Sequence, residues 1–146
     1  MTKAIYFDMD GTIADLYGVE GWLSMLRNSD PTPYAQAKPL VRLNTLARLL
    51  NSKQKEGYTL GVISWLSKAG TQEYNNKVTQ IKLKWLKEHL NSVKWDEIHI
   101  IEYGTPKQDI VKYPEGILFD DEYNNRYNWK GTAYDVDDII GILKSI

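Results

Sequence analysis

AIYFDMDGT, residues 4–12, is the stretch that decides the fold of this chain. Its first four residues are apolar and partly aromatic, which is typical of a buried β-strand. Two carboxylates one residue apart, followed by Gly11, indicate that the strand ends in a tight turn. In parallel α/β sheets, ligands bind outside the carboxyl ends of the strands. The sequence therefore predicts that Asp8 and Asp10 lie where a substrate would bind.

A pair of carboxylates at this position suits phosphate chemistry. Carboxylates hold the hard cation Mg²⁺, which accepts substrate phosphate as a further ligand. One Asp can act as a nucleophile that forms an aspartyl-phosphate, and the second would then serve as general acid and base. The stretch is not an EF-hand loop, because Thr12 and Ile13 stand where that loop needs Asp or Asn and then Gly. A plain Asp-rich turn is the alternative interpretation.

The composition is that of a soluble globular protein. The 146 residues suit one domain, 1–146, with 42% hydrophobic and 25% charged residues. A net charge of -1 predicts no bulk attraction to nucleic acid or to an anionic membrane. The absence of cysteine excludes disulfides, thiolate zinc sites and cysteine catalysis. With no apolar run long enough to span a membrane and no signal peptide, we expect a cytoplasmic protein without a membrane partner.

The remaining chain alternates between strands and helices, which predicts an α/β protein with a mostly parallel sheet. Residues 14–38 form an excursion that ends in a proline-containing loop and is long enough for a small lid but not for a domain. In the helix of residues 74–90, Lys82 and His89 interrupt the apolar face, and we expect His89 to be a packing or surface residue. The predicted strands are 58–64, 97–101, a segment from Ile117 to the second acidic pair, and 131–134; the helices are 39–51, 74–90 and 135–145.

Polar side chains follow three of the predicted strands, and a lysine precedes the last of them. Because the carboxyl ends of parallel strands meet at one edge of a sheet, we expect these side chains to form one pocket. Acids there can hold Mg²⁺ and attack phosphorus, while a hydroxyl and an ammonium bind the phosphoryl oxygens. The residues are Asp8, Asp10, Ser64, Lys107, Asp120 and Asp121.

The order of these motifs resembles the four-motif pattern of the haloacid dehalogenase (HAD) superfamily of phosphohydrolases. The matching motifs are spread over residues 4–121. The resemblance implies an α/β, Rossmann-like HAD fold, a mostly parallel sheet with helices on both faces. Many relatives insert a cap domain between the first and second motifs, whereas this chain has only the excursion of residues 14–38. The resemblance therefore implies a nearly capless enzyme with a minimal cap.

The resemblance also implies catalytic and metal-binding roles. Asp8 would be the nucleophile and a Mg²⁺ ligand. Asp10 would be the acid/base and would lend its backbone carbonyl to the metal. Asp121 would be a further metal ligand, with Asp120 as a supporting acid. Because Asp10 carries its own acid/base group, the site resembles that of a phosphatase.

The same resemblance extends to the substrate. Ser64 and Lys107 would bind the phosphoryl group, and Thr12 is a candidate for a substrate contact. Trp65 follows Ser64 directly and can stack on a base, although a packing role is the alternative. Residues 124–126 follow the second acidic pair and could contact substrate, although a solvated loop is the favoured interpretation.

The predicted function is that of a Mg²⁺-dependent phosphomonoester hydrolase acting through an aspartyl-phosphate on a small phosphorylated substrate. The doubled acid and the small size are similar to the 5'-deoxyribonucleotidase branch, so a nucleoside monophosphate is expected. A polynucleotide-end phosphatase and a non-catalytic binding protein on the same fold are the alternatives. A response-regulator receiver is excluded because no Asp stands between Asp30 and Asp96, where its phosphoacceptor would lie. The sequence leaves the oligomeric state open.

Overall fold

A computed structural model describes residues 3–146, and in these residues it places a sheet of five strands. The strand order is β5-β4-β1-β6-β7, and every neighbouring pair is parallel. The strand that precedes the first acidic pair therefore lies in the centre of the sheet. The strands are β1 (Ala4–Phe7), β2 (Ala14–Asp15), β3 (Lys38–Pro39), β4 (Thr59–Trp65), β5 (Glu97–Ile101), β6 (Ile117–Phe119) and β7 (Thr132–Tyr134).

Helices connect most of these strands, and a short 3₁₀ turn at Lys107–Asp109 lies between β5 and β6. None of the helices within residues 3–146 is both long and apolar enough to cross a membrane. The helices are α1 (Trp22–Arg27), α2 (Thr32–Gln36), α3 (Leu43–Lys55), α4 (Gln72–His89), α5 (Tyr123–Asn128) and α6 (Ile139–Ser145).

The central strand β1 is buried on both faces. Ile5 and Phe7 belong to the core cluster that also contains apolar residues of α3, α4 and α6. Ala4 and Tyr6 belong to a second cluster, which includes Trp129 at the end of α5. Because successive side chains of a strand point to opposite faces, these two clusters cover the two sides of the sheet. This arrangement confirms the predicted α/β class, with helices on both faces.

The excursion of residues 14–38 is more ordered than the sequence suggested. Its ends pair as an antiparallel ladder between β2 and β3, and α1 and α2 lie between them. The loop that we predicted around the prolines is partly wrong, because α2 begins at Thr32. Pro33 stands in the first turn of α2, where its missing N–H costs no helical hydrogen bond. The excursion therefore consists of two short helices between the strands of a small ladder, and we call residues 14–38 the cap segment.

Several predicted boundaries differ from those observed. The helix predicted from residue 39 begins at Leu43, because Lys38–Pro39 pairs with β2 and Leu40 N donates to Ile13 O at 2.9 Å. The last helix begins at Ile139 and not at residue 135, since the Asp138 side chain accepts the backbone N–H of Gly141 and so caps the helix there.

His89 has the packing role that was expected. Its ring stacks on Trp85 with centroids 4.3 Å apart, and its Nδ1 lies 3.0 Å from the Trp85 carbonyl oxygen. Both residues belong to the last turns of α4. His89 therefore completes the packing of this helix.

Candidate active site

The predicted edge of the sheet carries an open pocket of about 270 Å³. The strands β1, β4 and β6 are neighbours, so the segments that follow them lie side by side. Asp8 N extends this pairing by donating to Phe119 O at 2.9 Å. The acids Asp8, Asp10 and Asp121 line the pocket together with Lys107. Sequence reasoning placed these four residues in one pocket, and the structure brings them together.

The Asp8 carboxylate is held on both of its oxygens. Oδ1 accepts a hydrogen bond from Lys107 Nζ at 3.0 Å, and Oδ2 accepts one from Thr12 Oγ1 at 3.1 Å. Both donors are buried, with Thr12 only 1% exposed and Lys107 2% exposed. The orientation of the Asp8 carboxylate is therefore set by two side chains that have little freedom to move. Thr12 contacts the nucleophile candidate directly, and its hydroxyl also lies 3.5 Å from Asp121 Oδ1.

Lys107 lies between two acids at the start of the 3₁₀ turn. Its Nζ is 3.0 Å from Asp8 Oδ1 and 2.7 Å from Asp120 Oδ2. Burial by itself lowers the pKa of this ammonium, but the two carboxylates outweigh burial and raise the pKa of Lys107 above its ordinary value. Lys107 therefore remains a cation at neutral pH and offsets part of the negative charge at the edge of the sheet.

Asp120 is fully buried beneath the pocket lining and binds residues of the site. Its oxygens accept hydrogen bonds from Lys107, from the backbone N–H of Glu122 at 2.9 Å, and from Asn125 Nδ2 at 3.2 Å. Arg126 Nη1 donates to its backbone oxygen at 2.9 Å. Burial and the nearby Asp8 raise the pKa of Asp120 to about 6. The expectation of a solvated loop at residues 124–126 is wrong, because these residues form part of α5, and Asn125 and Arg126 bind Asp120.

Three carboxylates form a cluster that could hold a metal ion. Asp8, Asp120 and Asp121 each offer an oxygen, and these oxygens all lie within 4.8 Å of one another. Burial, a hydrogen bond with Asp8 and the charges of Asp8 and Asp120 raise the pKa of Asp121 to about 8. Carboxylates this close repel one another, and a divalent cation with oxygen ligands relieves that repulsion. The donor set therefore fits Mg²⁺. Asp8 and Asp121 line the pocket, whereas Asp120 is fully buried and already accepts three hydrogen bonds, so Asp8 and Asp121 are the better ligands.

Gly11 allows the backbone to pass close to this cluster. Its φ is +80°, and a Cβ at this position would lie 2.3 Å from Asp121 Oδ2 and 2.9 Å from the Tyr17 ring. A side chain would therefore collide with a candidate metal ligand. Glycine is required here both for its conformation and for its lack of a side chain.

The Asp10 side chain turns away from the metal cluster toward a buried lysine. Its Oδ2 lies 2.9 Å from Lys82 Nζ, and its side chain is 16% exposed. Burial raises the pKa of Asp10, and the charge of Lys82 opposes that rise. The Lys82 ammonium also donates to Ser64 Oγ at 2.8 Å. Ser64 itself is fully buried and is not part of the pocket lining, although Lys82 links its hydroxyl to the Asp10 carboxylate.

Lys82 is the site residue that sequence reasoning missed. It appeared only as an interruption in the apolar face of a helix. A lysine is almost never fully buried unless an acid pairs with it. Its place among buried positions of α4 was therefore a signal that an acid from elsewhere in the chain would meet it, although the sequence does not say which acid.

Aromatic side chains form much of the remaining pocket wall. Trp65 lines the pocket, and its Nε1 donates to the Thr105 carbonyl at 2.8 Å. Its ring lies 5.0 Å from the Tyr103 ring and 5.4 Å from Lys107 Nζ. The cap segment contributes further aromatic residues that line the pocket: Tyr17, Trp22 and Tyr34.

The fold is shared with solved phosphatase structures. No protein-family model and no curated protein matches the sequence. The D,D-heptose 1,7-bisphosphate phosphatase from Burkholderia thailandensis has a TM-score of 0.61 and 10% identity, covering 99% of this chain and 97% of that one. The same phosphatase from B. bronchiseptica, complexed with magnesium and phosphate, has a TM-score of 0.55 and 14% identity, with 99% and 97% covered.

A chain of the Pnkp1/Rnl/Hen1 complex is also similar, with a TM-score of 0.56 and 17% identity over 93% of this chain. The match spans 45% of the length of that chain. At these identities the likeness shows the fold alone. The chain thus has the predicted Rossmann-like α/β fold, which it shares with these phosphatase structures.

Proposed function

We propose that this protein is a Mg²⁺-dependent phosphomonoester hydrolase that forms an aspartyl-phosphate on Asp8. The observation that carries this proposal is the geometry around Asp8. Its carboxylate is oriented by Lys107 and Thr12 at the carboxyl end of β1, beside the other acids of the cluster that could hold a metal ion. A nucleophile, a fixed cation and a site for a divalent cation are the groups that phosphoryl transfer requires.

In the first step, an oxygen of Asp8 attacks phosphorus, and the bond from phosphorus to the substrate oxygen breaks. Asp10 gives its proton to that leaving oxygen, so the substrate departs as an alcohol. The raised pKa of Asp10 favours the protonated carboxyl that this step needs. Lys107, which lines the pocket, offsets the charge on the phosphoryl oxygens.

In the second step, Asp10 is a carboxylate and takes a proton from water. The water oxygen attacks phosphorus, the bond between phosphorus and Asp8 breaks, and inorganic phosphate leaves. Asp10 is then protonated and Asp8 is a free carboxylate. One water is consumed for each phosphomonoester, and the protein returns to its starting state.

Asp8, Asp121 and the backbone carbonyl of Asp10 are the proposed Mg²⁺ ligands. When bound, the cation offsets negative charge on the phosphoryl oxygens. Asp120 holds Lys107 and Asn125 in place and does not need to touch the metal. The B. bronchiseptica phosphatase supports this choice of cation, since it shares the fold and is complexed with magnesium and phosphate.

The proposed substrate is a nucleoside monophosphate. The aromatic residues of the pocket wall support it, since base stacking on an aromatic side chain is worth about 1–3 kcal/mol. The phosphatase neighbours are named for a sugar bisphosphate and favour a small substrate. A nucleic-acid end is the second candidate, because one neighbour belongs to the Pnkp1/Rnl/Hen1 complex. The net charge of -1 gives no support for a long polyanion.

The experiment that tests the proposal is phosphate release from a panel of phosphomonoesters. The panel contains nucleoside 5'- and 3'-monophosphates, sugar phosphates and phosphorylated oligonucleotides, each with Mg²⁺ or EDTA. We expect metal-dependent release that Asp8→Asn abolishes and that Asp137→Asn, at an exposed position, leaves intact. No release from any panel member by folded wild-type protein would refute hydrolysis and favour a binding role.

A further inference from the structure

Lys82 has no hydrogen-bond donor to spare. Its Nζ donates to Asp10 Oδ2 at 2.9 Å, to Ser64 Oγ at 2.8 Å and to the Trp65 carbonyl at 2.9 Å. A lysine ammonium has three N–H bonds, so these three contacts use all of them. The side chain is 1% exposed and does not line the pocket. Lys82 therefore cannot bind the substrate phosphate and must act through the residues that it touches.

The three acceptors hold the ammonium in one place. Two of them come from the end of β4, which is an inner strand of the sheet, and Nζ also lies 5.2 Å from the centroid of the Tyr34 ring. Tyr34 is a buried residue of α2 in the cap segment. Because strand, cap and helix all meet at Nζ, this ammonium is a rigid point against which a carboxylate can be aligned.

Lys82 also makes the two oxygens of Asp10 different from each other. Oδ2 is bound to the ammonium, while the Asp10 side chain remains 16% exposed and lines the pocket. A protonated carboxyl places its proton on the oxygen that is not accepting a hydrogen bond from a cation. Oδ1 is therefore the oxygen that exchanges a proton with the substrate.

We propose that Lys82 is a positioning residue that fixes the Asp10 carboxyl for proton transfer to the leaving group. This inference rests on the proposed function. As the bond between phosphorus and the substrate oxygen breaks, the proton passes from Oδ1 of Asp10 to that oxygen, while Oδ2 stays on Lys82. Without the ammonium, the Asp10 side chain is free to rotate and proton transfer loses its alignment.

The experiment compares two substrates that differ in their need for a proton. A nucleoside 5'-monophosphate has an alkoxide leaving group, which must be protonated, whereas p-nitrophenyl phosphate releases a stable phenolate. For Lys82→Met we expect kcat/KM to fall by about 100-fold or more with the nucleotide but by less than about tenfold with p-nitrophenyl phosphate. In the Asp10→Asn background, Lys82→Met should cause little further loss with the nucleotide, since the two residues act as one unit.

The matched control is Lys53→Met. Lys53 is also a buried lysine, 7% exposed, but it lies on α3 with Glu56 and the Ile146 carbonyl as partners and does not line the pocket. If Lys53→Met lowers kcat/KM at all, it should lower it by the same factor for both substrates. Lys82→Arg is a second variant in case Lys82→Met does not fold. It keeps the positive charge but replaces the ammonium and its three N–H donors with a planar guanidinium. It should show the same selective loss in smaller measure.

Equal losses with both substrates in Lys82→Met, or in Lys82→Arg where only that variant folds, would overturn this inference and leave the hydrolase intact. The same selective loss in Lys53→Met would also overturn it. If wild-type protein turns over neither substrate, the proposed function fails and the role of Lys82 fails with it.

Discussion

Lys107 Nζ lies 3.0 Å from Asp8 Oδ1, although the two residues are 99 positions apart in the sequence. The same ammonium is 2.7 Å from Asp120 Oδ2. Asp8 follows β1 and Asp120 follows β6, and these are adjacent parallel strands. Lys107 is thus the cation that allows two buried acids to stand side by side at the end of the sheet.

Lys107→Met should therefore remove activity and stability together. It leaves Asp8 and Asp120 buried without their shared cation, and breaking a buried pair in this way typically costs about 3–5 kcal/mol. We expect urea denaturation to show a loss of this order and phosphate release to stop. Lys112→Met, at an exposed position, is the matched control and should change neither. A folded Lys107→Met protein of wild-type stability would contradict this account of the cluster.

The metal-free protein should become less stable as the pH rises from about 4 to about 8. The pKa is raised to about 6 at Asp120 and about 8 at Asp121, whereas an unfolded Asp has a pKa near 3.9. Between these values the folded state holds more protons than the unfolded state, so the free energy of unfolding falls with rising pH. The measurement is the Tm in EDTA across this range. In Asp121→Asn, the Tm should change less between pH 6 and pH 8 than in the wild type. The same dependence of Tm on pH in both proteins would show that another group is responsible.

Mg²⁺ binding should release a proton near neutral pH. The carboxyl of Asp121, with its pKa of about 8, is mostly protonated at pH 7 and must ionise to bind the cation. Affinity should therefore rise by up to about tenfold per pH unit below pH 8 and level off above it. Calorimetry in two buffers with different ionisation enthalpies measures the proton directly. We expect about one proton per Mg²⁺ at pH 7 and close to none at pH 9, and a pH-independent affinity would argue against Asp121 as a ligand.

Gly11→Ala should disturb the metal site, whereas Gly57→Ala should affect stability alone. Both glycines have positive φ, +80° and +99°, where a side chain costs about 1–2 kcal/mol. At Gly11 the new Cβ would also meet Asp121 Oδ2 at 2.3 Å, while at Gly57 nothing lies within 4 Å. Urea denaturation should show a similar loss in the free energy of unfolding for both variants. Calorimetry should show weaker Mg²⁺ binding only in Gly11→Ala. Equal Mg²⁺ affinity in the two variants would place Asp121 away from the metal.

Trp65→Ala tests the nucleotide assignment. If a base stacks on this ring, the KM for a nucleoside monophosphate should rise by about 5- to 150-fold, from a stacking energy of about 1–3 kcal/mol. The KM for ribose 5-phosphate, which has no base, should change much less. Tyr127→Ala, at a 75% exposed position, is the control for loss of an aromatic residue elsewhere. A similar rise for both substrates would assign Trp65 to packing beneath Lys107 instead.

Much of the site could be predicted because its residues follow strands. An apolar strand that ends in acids, or in a serine, points its polar residues to the carboxyl edge wherever the sheet is parallel. The pocket positions of Asp8, Asp10 and Asp121 were predictable on this ground, whereas Lys107 does not directly follow a strand and was identified by the order of the motifs. Helix α2 was not predictable, because prolines normally end helices. Pro33 is compatible with this helix only because it stands in the first turn.

Residues 124–126 and Lys82 were missed for a related reason. Asn125 and Arg126 belong to a short helix, α5, and their hydrogen bonds go to Asp120, which stands before that helix. Lys82 lies in the middle of α4, and its acceptors belong to the ends of β1 and β4. Periodicity shows which face of a helix is buried, but it carries no information on which group of another element that face will meet.

The sequence by itself determined the α/β class, the buried first strand and the acids at its end, because these depend on local patterns and on the geometry common to parallel sheets. The tertiary structure alone decided which buried lysine pairs with which acid: Lys107 with Asp8 and Asp120, and Lys82 with Asp10. The physical reason is that a buried charge needs a partner within a few ångströms. Only the packing of α4 and the 3₁₀ turn against the sheet brings each ammonium within that distance.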